Sequence, residues 1–207
     1  MKNVVVKHNS IIINDNIYFD PYKIENDPHN ALVVFITHSH YDHFSAEDIK
    51  KVKNDSTCFV CPVESKIELI KLGVKPENIM VVIPKQSYEF AGFKFSTIPA
   101  YNINSNYHPK ISNWVGYVVN INEKVVAVLG DTDVTEELKD LKCDVLFIPV
   151  GGTYTMTSDE AAKLTNKIKP QVAYPTHYGV LVGTEVDAEN FKKKVNSEIK
   201  VLFNGVN

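Results

Sequence analysis

Three imidazoles and a carboxylate fall within six residues, in His38-Ser39-His40-Tyr41-Asp42-His43, directly after the apolar run Leu32 to Thr37. A continuous run of that kind, rich in β-branched residues, reads as a strand buried on both faces. The chain must therefore leave the interior of a sheet and at once present four side chains able to bind metal. In an extended segment His38 and His40 point the same way, being two apart, while the turn that follows brings Asp42 and His43 to a neighbouring direction. One short peptide can thus address two adjacent metal positions. A hydrolytic metal site needs several nitrogen and oxygen ligands and an open position for water, so further ligands are expected elsewhere. Suitable residues stand at the ends of other expected strands: His108 in a polar loop after 93–98, Asp131 in Gly130-Asp131-Thr132, and His177 in Pro175-Thr176-His177-Tyr178-Gly179. Loops meeting at one edge of a sheet are where α/β scaffolds usually build their sites.

The rest of the pattern supplies the scaffold. Val4 to Val6, Ser10 to Ile13 and Asn16 to Phe19 read as short strands, the last two separated by the polar turn Asn14-Asp15, which opens an antiparallel sheet. Ser45 caps a helix running to Lys53, Thr57 to Cys61 is a strand, Val63 to Leu72 a helix closed by Gly73, and Ile79 to Ile83 a strand. The second half begins with Tyr88 to Ile98, folded back at Ala91-Gly92, and a hairpin of Gly116 to Ile121 with Lys124 to Leu129. A helix Asp133 to Leu141, a strand Val145 to Val150, a helix Thr157 to Ile168 and a strand Val172 to Tyr174 follow, then a helix Ala188 to Val195 and a strand Ile199 to Phe203. Thr157 with Glu160, and Asp133 with Glu136, have capping-box spacing. Strands followed by strand–helix alternation, done twice, predict an α/β fold of two sheets face to face with helices outside. No linker or repeat interrupts the 207 residues, so a single domain over residues 1–207 is expected.

Composition narrows the partners. The formal net charge is −3 and all 22 basic residues are lysines, so no basic field gathers nucleic acid and no guanidinium fork grips a phosphate. Any anionic substrate must be held by lysine, metal or backbone N–H groups. The N-terminus lacks a long apolar stretch and a small-residue cleavage site, and Ala31 to Ile36 is far too short to span a bilayer, which together predict a cytoplasmic chain. Three cysteines argue against a disulfide framework; Cys58 and Cys61, within an expected strand, read as buried thiols, as does Cys143. His8, in the first strand, reads as a surface or edge histidine, and His29 as part of a loop. Tyr101, Asn102, Tyr107, Lys110 and Tyr154 stand in loops that should flank the metals, and Gly151-Gly152 permits a tight turn or a close backbone approach to substrate. The expected partners are a small-molecule substrate and at most further copies of the chain, with neither nucleic acid nor membrane.

The motif HxHxDH at His38, His40, Asp42 and His43, followed in order by a lone histidine, a Gly-Asp-Thr aspartate and a final histidine, resembles the metallo-β-lactamase superfamily of hydrolases over nearly the whole chain. Within it, Pro99-Ala100-Tyr101-Asn102, His108-Pro109-Lys110, Val115-Gly116-Tyr117 and Pro149 to Met156 look most like the small branch of L-ascorbate-6-phosphate lactonase-like proteins. The resemblance implies a four-layer αββα sandwich with two mixed β-sheets. It also implies a dinuclear site: His38, His40 and His108 on one divalent metal, Asp42, His43 and His177 on the other, and Asp131 bridging, with Asp42 and Asp131 in the catalytic machinery. Asp20, in Tyr18-Phe19-Asp20-Pro21, resembles an early aspartate that orients the ligand loop without touching metal. Imidazole suits zinc and iron while the carboxylates also admit manganese, which ranks zinc first and manganese next. The expected function is a hydrolase whose metal-bound hydroxide attacks a small ester, lactone or phosphodiester. The alternative is a di-iron redox or oxygen-binding protein of the same fold, although such members typically carry a glutamate where His40 stands.

Overall fold

The computed structural model describes residues 3–203, so Met1, Lys2 and 204–207 of the expected 1–207 domain lie outside it. Its first sheet contains β1 (Val4–Lys7), β2 (Ser10–Ile13), β3 (Ile17–Phe19), β4 (Val33–Phe35), β5 (Cys58–Cys61) and β6 (Ile79–Val81), adjacent in that order. The second contains β7 (Ser87–Phe90), β8 (Phe93–Pro99), β9 (Val115–Ile121), β10 (Lys124–Val128), β11 (Val145–Pro149), β12 (Val172–Thr176) and β13 (Lys200–Val201), again in sequence order. Each sheet starts as an antiparallel meander and continues as parallel strands. The parallel crossovers carry the helices α1 (Ala46–Val52), α2 (Val63–Lys71), α3 (Ser158–Ile168) and α4 (Glu185–Lys194).

Side-chain alternation sorts the apolar residues into three layers of core. Val33 and Phe35 of β4 point between the sheets, where they meet Phe95, Val115 and Tyr117 of the other sheet. Their neighbours Val34 and Ile36 point outward to Ile49, Val52 and Leu69 of α1 and α2. On the far side Leu146 and Ile148 of β11 pack under Ala161, Leu164 and Phe191 of α3 and α4. The result is the expected αββα sandwich, the metallo-β-lactamase fold, and it explains why Leu32 to Thr37 shows no polar alternation. Turn chemistry agrees with it. Ala91 and Gly92 (φ 53° and 81°) and Asn122 and Glu123 (φ 49° and 62°) take the left-handed conformations that two-residue hairpins require.

Three elements differ from the sequence reading. Asp133 to Leu141 is not a helix; a single 3₁₀ turn, Glu136–Leu138, begins at Thr135. Asp133 is no cap, because its carboxylate accepts hydrogen bonds from Asn102 Nδ2 (3.0 Å) and the Ile103 N–H (2.7 Å) and so binds a different loop. The last helix begins earlier, at Glu185, because the Thr184 N–H and hydroxyl both donate to Asp187 and fix its first turn. The final strand is shortened to Lys200–Val201. By contrast Thr157 and Glu160 form the expected capping box.

One tie between the sheets sets the position of the histidine-rich segment. The Tyr117 hydroxyl, fully buried, donates to the Ile36 carbonyl at 2.6 Å, immediately before Thr37. Removing it would leave that carbonyl without the partner, which costs about 1–3 kcal/mol for a buried group. Tyr117→Phe is therefore expected to lower the unfolding free energy by that amount, read as a lower urea midpoint at unchanged m-value; an unaltered midpoint would show that the tie contributes nothing.

Candidate metal centre

The loops after β4, β8, β10 and β12 converge on one cluster. His38, Asp42, His43, His108, Asp131 and His177 are buried, and His40 lies half-buried at the rim. Three sets of ligand atoms each fall within 4.8 Å of one another: His38, His40 and His108; His38, His43 and Asp131; and His8, Asp42 and His177. The first set is the trio expected for one metal. Asp131 lies between the others, with Oδ1 3.3 Å from His43 Nε2, and Oδ2 3.3 Å from His108 Nε2 and 3.0 Å from His177 Nε2. Asp42 Oδ2 is 3.5 Å from His43 Nε2 and 3.6 Å from His177 Nε2. All seven residues anticipated from sequence thus share one site.

Residues behind the cluster fix which nitrogen faces inward. Asp20 accepts the Thr37 N–H at 2.8 Å and the Thr37 hydroxyl at 2.6 Å, and its Oδ2 receives His43 Nδ1 at 2.8 Å. With the proton held on Nδ1, His43 turns the lone pair of Nε2 into the site. Asn102 does the same for His108, its Oδ1 taking both the ring Nδ1 (2.9 Å) and the backbone N–H (3.1 Å). Asn102 is in turn held by Asp133 and the Tyr154 carbonyl. Trp114, which sequence reasoning did not single out, packs 4.8 Å from the rings of His38 and His40, and its indole N–H is anchored on Glu64. Gly151 serves protein packing, because a Cβ there would press on the His177 carbonyl.

His8 corrects the sequence reading. It is not a surface or edge histidine but a buried residue of the site, with Nε2 3.3 Å from Asp42 Oδ2 and its ring 4.5 Å from that of His177. The sequence reading put it in the first strand; it lies instead in the turn that follows, and nothing local marked that turn as buried. His29 stays in an exposed loop, its Nδ1 3.0 Å from the Lys53 carbonyl. Lys110 and Tyr101 engage each other and Glu137 outside the cluster.

Electrostatics favour cations here. Burial alone would raise the Asp131 carboxyl, but the His177 and His43 imidazoles beside it hold it well below the usual range. Burial opposes charge on Asp42 too, but the His177 and His8 imidazoles beside it hold it likewise low. Burial opposes charge on His43, but Asp131 and Asp20 outweigh it and keep that imidazole well above its ordinary value. His177, opposed by burial and raised by Asp131 and Asp42, is pushed up to about 9. Burial instead lowers His38, His40 and His8. Among the buried polar atoms without a hydrogen bond are His43 Nε2, His108 Nε2 and Asp131 Oδ1, all facing one space. Inward lone pairs around ionised carboxylates are what a divalent cation requires of its ligands, so the residues present fit the metal.

The model of the Beta-lactamase superfamily domain matches residues 5–177. The chain belongs to the beta-lactamase superfamily. It is 28% identical over 183 residues to a UPF0173 metal-dependent hydrolase of Pyrococcus abyssi, an alignment covering 82% of this chain and 76% of that one. Among solved structures it superposes with a TM-score of 0.78 on a protein from Parabacteroides distasonis described as a metal-dependent hydrolase, 28% identical, covering 99% of this chain and 93% of the other. The same fold is shared by a diiron β-hydroxylase of Streptomyces venezuelae, 12% identical, TM-score 0.72, covering 98% of this chain and 52% of the hydroxylase.

The superfamily site has a pH signature when metal is withheld. A histidine whose folded pKa is raised adds stability fully present below its unfolded value near 6.5 and lost as pH rises through the folded one. His177 places that loss between roughly pH 6.5 and about 9, and His43 acts in the same direction. In chelator, Tm should fall across pH 7 to 9, whereas metal-loaded protein, with those protons displaced, should not show this fall. A chelated protein whose Tm is flat or rises over that window would contradict the assignment.

Proposed function

We propose that this chain is a metal-dependent hydrolase acting on a small, uncharged ester or lactone. The observation that carries this reading is the pocket in front of the cluster. It encloses about 310 Å³ beside His40, Asp131 and His177, and its outer walls are Tyr41, Tyr107, Tyr154, Leu181 and Val182. No lysine is among its lining residues, and Lys110, the cation of the neighbouring loop, is engaged by Tyr101 and Glu137. Beyond the ions themselves a phosphodiester would find no lysine to hold its charge, whereas a neutral acyl group meets walls that are largely aromatic and aliphatic. A larger groove of about 340 Å³ along Val5, Lys7, Tyr18 and Tyr22 has no histidine in its lining.

His38, His40 and His108 would hold one divalent ion, Asp42, His43 and His177 a second, and Asp131 would lie against both. When bound, such ions polarise a carbonyl and lower the pKa of water from 15.7 towards about 7, which generates a nucleophile at neutral pH. Asp42 and Asp131 partly neutralise the cations and offer acceptor oxygens to an attacking water. Asp20 and Asn102 keep the ring nitrogens of His43 and His108 aimed inward, and the tyrosines orient the substrate. Ligand softness ranks zinc first and manganese next. At position 40 an imidazole leaves the site less anionic than a carboxylate would, which disfavours ferric iron and the di-iron reading.

The test compares zinc-, manganese- and iron-loaded protein on p-nitrophenyl acetate, a small lactone and bis(p-nitrophenyl) phosphate, while oxygen uptake is followed with an electron donor. The zinc or manganese form should turn over the ester or lactone with kcat/KM at least tenfold above the phosphodiester, and Asp131→Asn should lose more than tenfold, or more than about 1.4 kcal/mol. Turnover confined to the iron form with oxygen consumed, or confined to the phosphodiester, would overturn the reading.

A further inference from the structure

His8 belongs to the site by position, yet no role in the mechanism above uses it. It occupies the first place of a two-residue turn between β1 and β2, where Lys7 pairs with Ser10. Its φ is +58°, a left-handed conformation that Asn or Gly adopts most readily and that costs a residue with a full side chain roughly 1–2 kcal/mol. The turn is stitched to the site from both of its residues. The His8 carbonyl accepts the His177 N–H at 2.8 Å, and Asn9 Nδ2 donates to the Asp42 carbonyl at 2.6 Å. A hairpin turn is ordinarily solvated, but here the His8 side chain is wholly buried.

The ring of His8 is aimed at the cluster. Nδ1 lies 3.5 Å from the Tyr178 carbonyl and Nε2 lies closer to the site, so a single ring proton can serve only one of the two. Nε2 faces Asp42 Oδ2 at 3.3 Å, a contact that a ring proton bridges in metal-free protein and that a shared cation would bridge in its place. His177 Nε2 approaches the same carboxylate oxygen at 3.6 Å, and the ligand atoms of His8, Asp42 and His177 lie within 4.8 Å of one another, the span of the other two sets. As with His43 and His108, Nε2 is the ring nitrogen that faces the cluster, although Nδ1 of His8 is held more loosely, at 3.5 Å against 2.8 and 2.9 Å.

We infer that His8 is a ligand of the metal ion held by Asp42 and His177, supplied to that subsite by the first hairpin of the chain. The inference rests on the two-metal reading. A left-handed backbone at a buried imidazole is then the conformation that delivers Nε2 past the strand ends to Asp42. It also makes the first dozen residues, remote in sequence from the HxHxDH segment, part of the metal centre.

The experiment titrates metal-free protein with Co(II) and follows stoichiometry, affinity, the visible spectrum and the hyperfine-shifted ring N–H resonances of ligating imidazoles by proton NMR. Wild type is compared with His8→Ala and with His8→Asn, the latter chosen because Asn suits the left-handed turn; metal-free thermal unfolding within a few degrees of wild type certifies the fold. In both variants the ion at His38, His40 and His108 should bind within about twofold of wild type. The second should weaken by at least tenfold, and one shifted N–H resonance should vanish. Equal affinity for the second ion, or weakened binding with every shifted resonance retained, would overturn the assignment, the latter by reducing His8 to a positioning residue. If wild type takes up a single ion the two-metal reading fails by itself, and His8 is then refuted if the spectrum of that ion is the same in wild type and His8→Asn.

Discussion

Two buried carboxylates, Asp42 and Asp131, face six imidazoles in a space from which water is largely excluded, and that concentration of ionisable groups governs the rest of the structure. Charges taken out of water must be compensated where they stand, since attraction in the interior repays desolvation only with good geometry and further hydrogen bonds. In metal-free protein the protons on His43 and His177 provide the compensation. Divalent cations would provide it better, because the inward nitrogens are acceptors whenever those protons are absent. The supports follow from the same requirement: His43 and His108 are held at Nδ1 by Asp20 and Asn102 so that Nε2 faces the cluster.

The fold meets this requirement with two halves of the same plan. In each, an antiparallel meander gives way to parallel strands, and an aspartate follows the last meander strand, Asp20 after β3 and Asp131 after β10. The two aspartates have divided the work. Asp131 carries its charge into the cluster, while Asp20 turns to the Thr37 backbone and hydroxyl and to His43, fixing the segment that bears four of the candidate ligands. The pairing of Tyr117 with the Ile36 carbonyl then locks that segment to the opposite sheet. A site assembled from loops on both sheets is consequently as rigid as the interface between them.

Much of this could be read from the residues themselves. The unbroken apolar run before His38 required a strand buried on both faces, and Val34 and Ile36 do face the helices while Val33 and Phe35 face the other sheet. His108, Asp131 and His177 stood at strand ends, where their backbone direction already aimed them at one edge. What was missed depended on contacts that no local pattern encodes. His8 sits in a turn whose burial is decided by Asp42, His177 and Tyr178, residues 34 to 170 positions away. The expected helix from Asp133 failed because its carboxylate is drawn to Asn102 and Ile103 across the site, a tertiary competitor for the cap. Asn102 itself was noticed as a neighbour of the metals, but its service to His108 is visible once the loop closes on itself.

The central claim is that one cluster holds two divalent ions, and anomalous diffraction from crystals grown with zinc, with data on both sides of the zinc edge, tests it most directly. The account predicts two anomalous peaks inside the cluster, one among His38, His40 and His108, the other against Asp42 and His177, with Asp131 next to both. A fully loaded crystal showing no peak there, or a lone peak that leaves Asp42 and His177 without an ion, would contradict it.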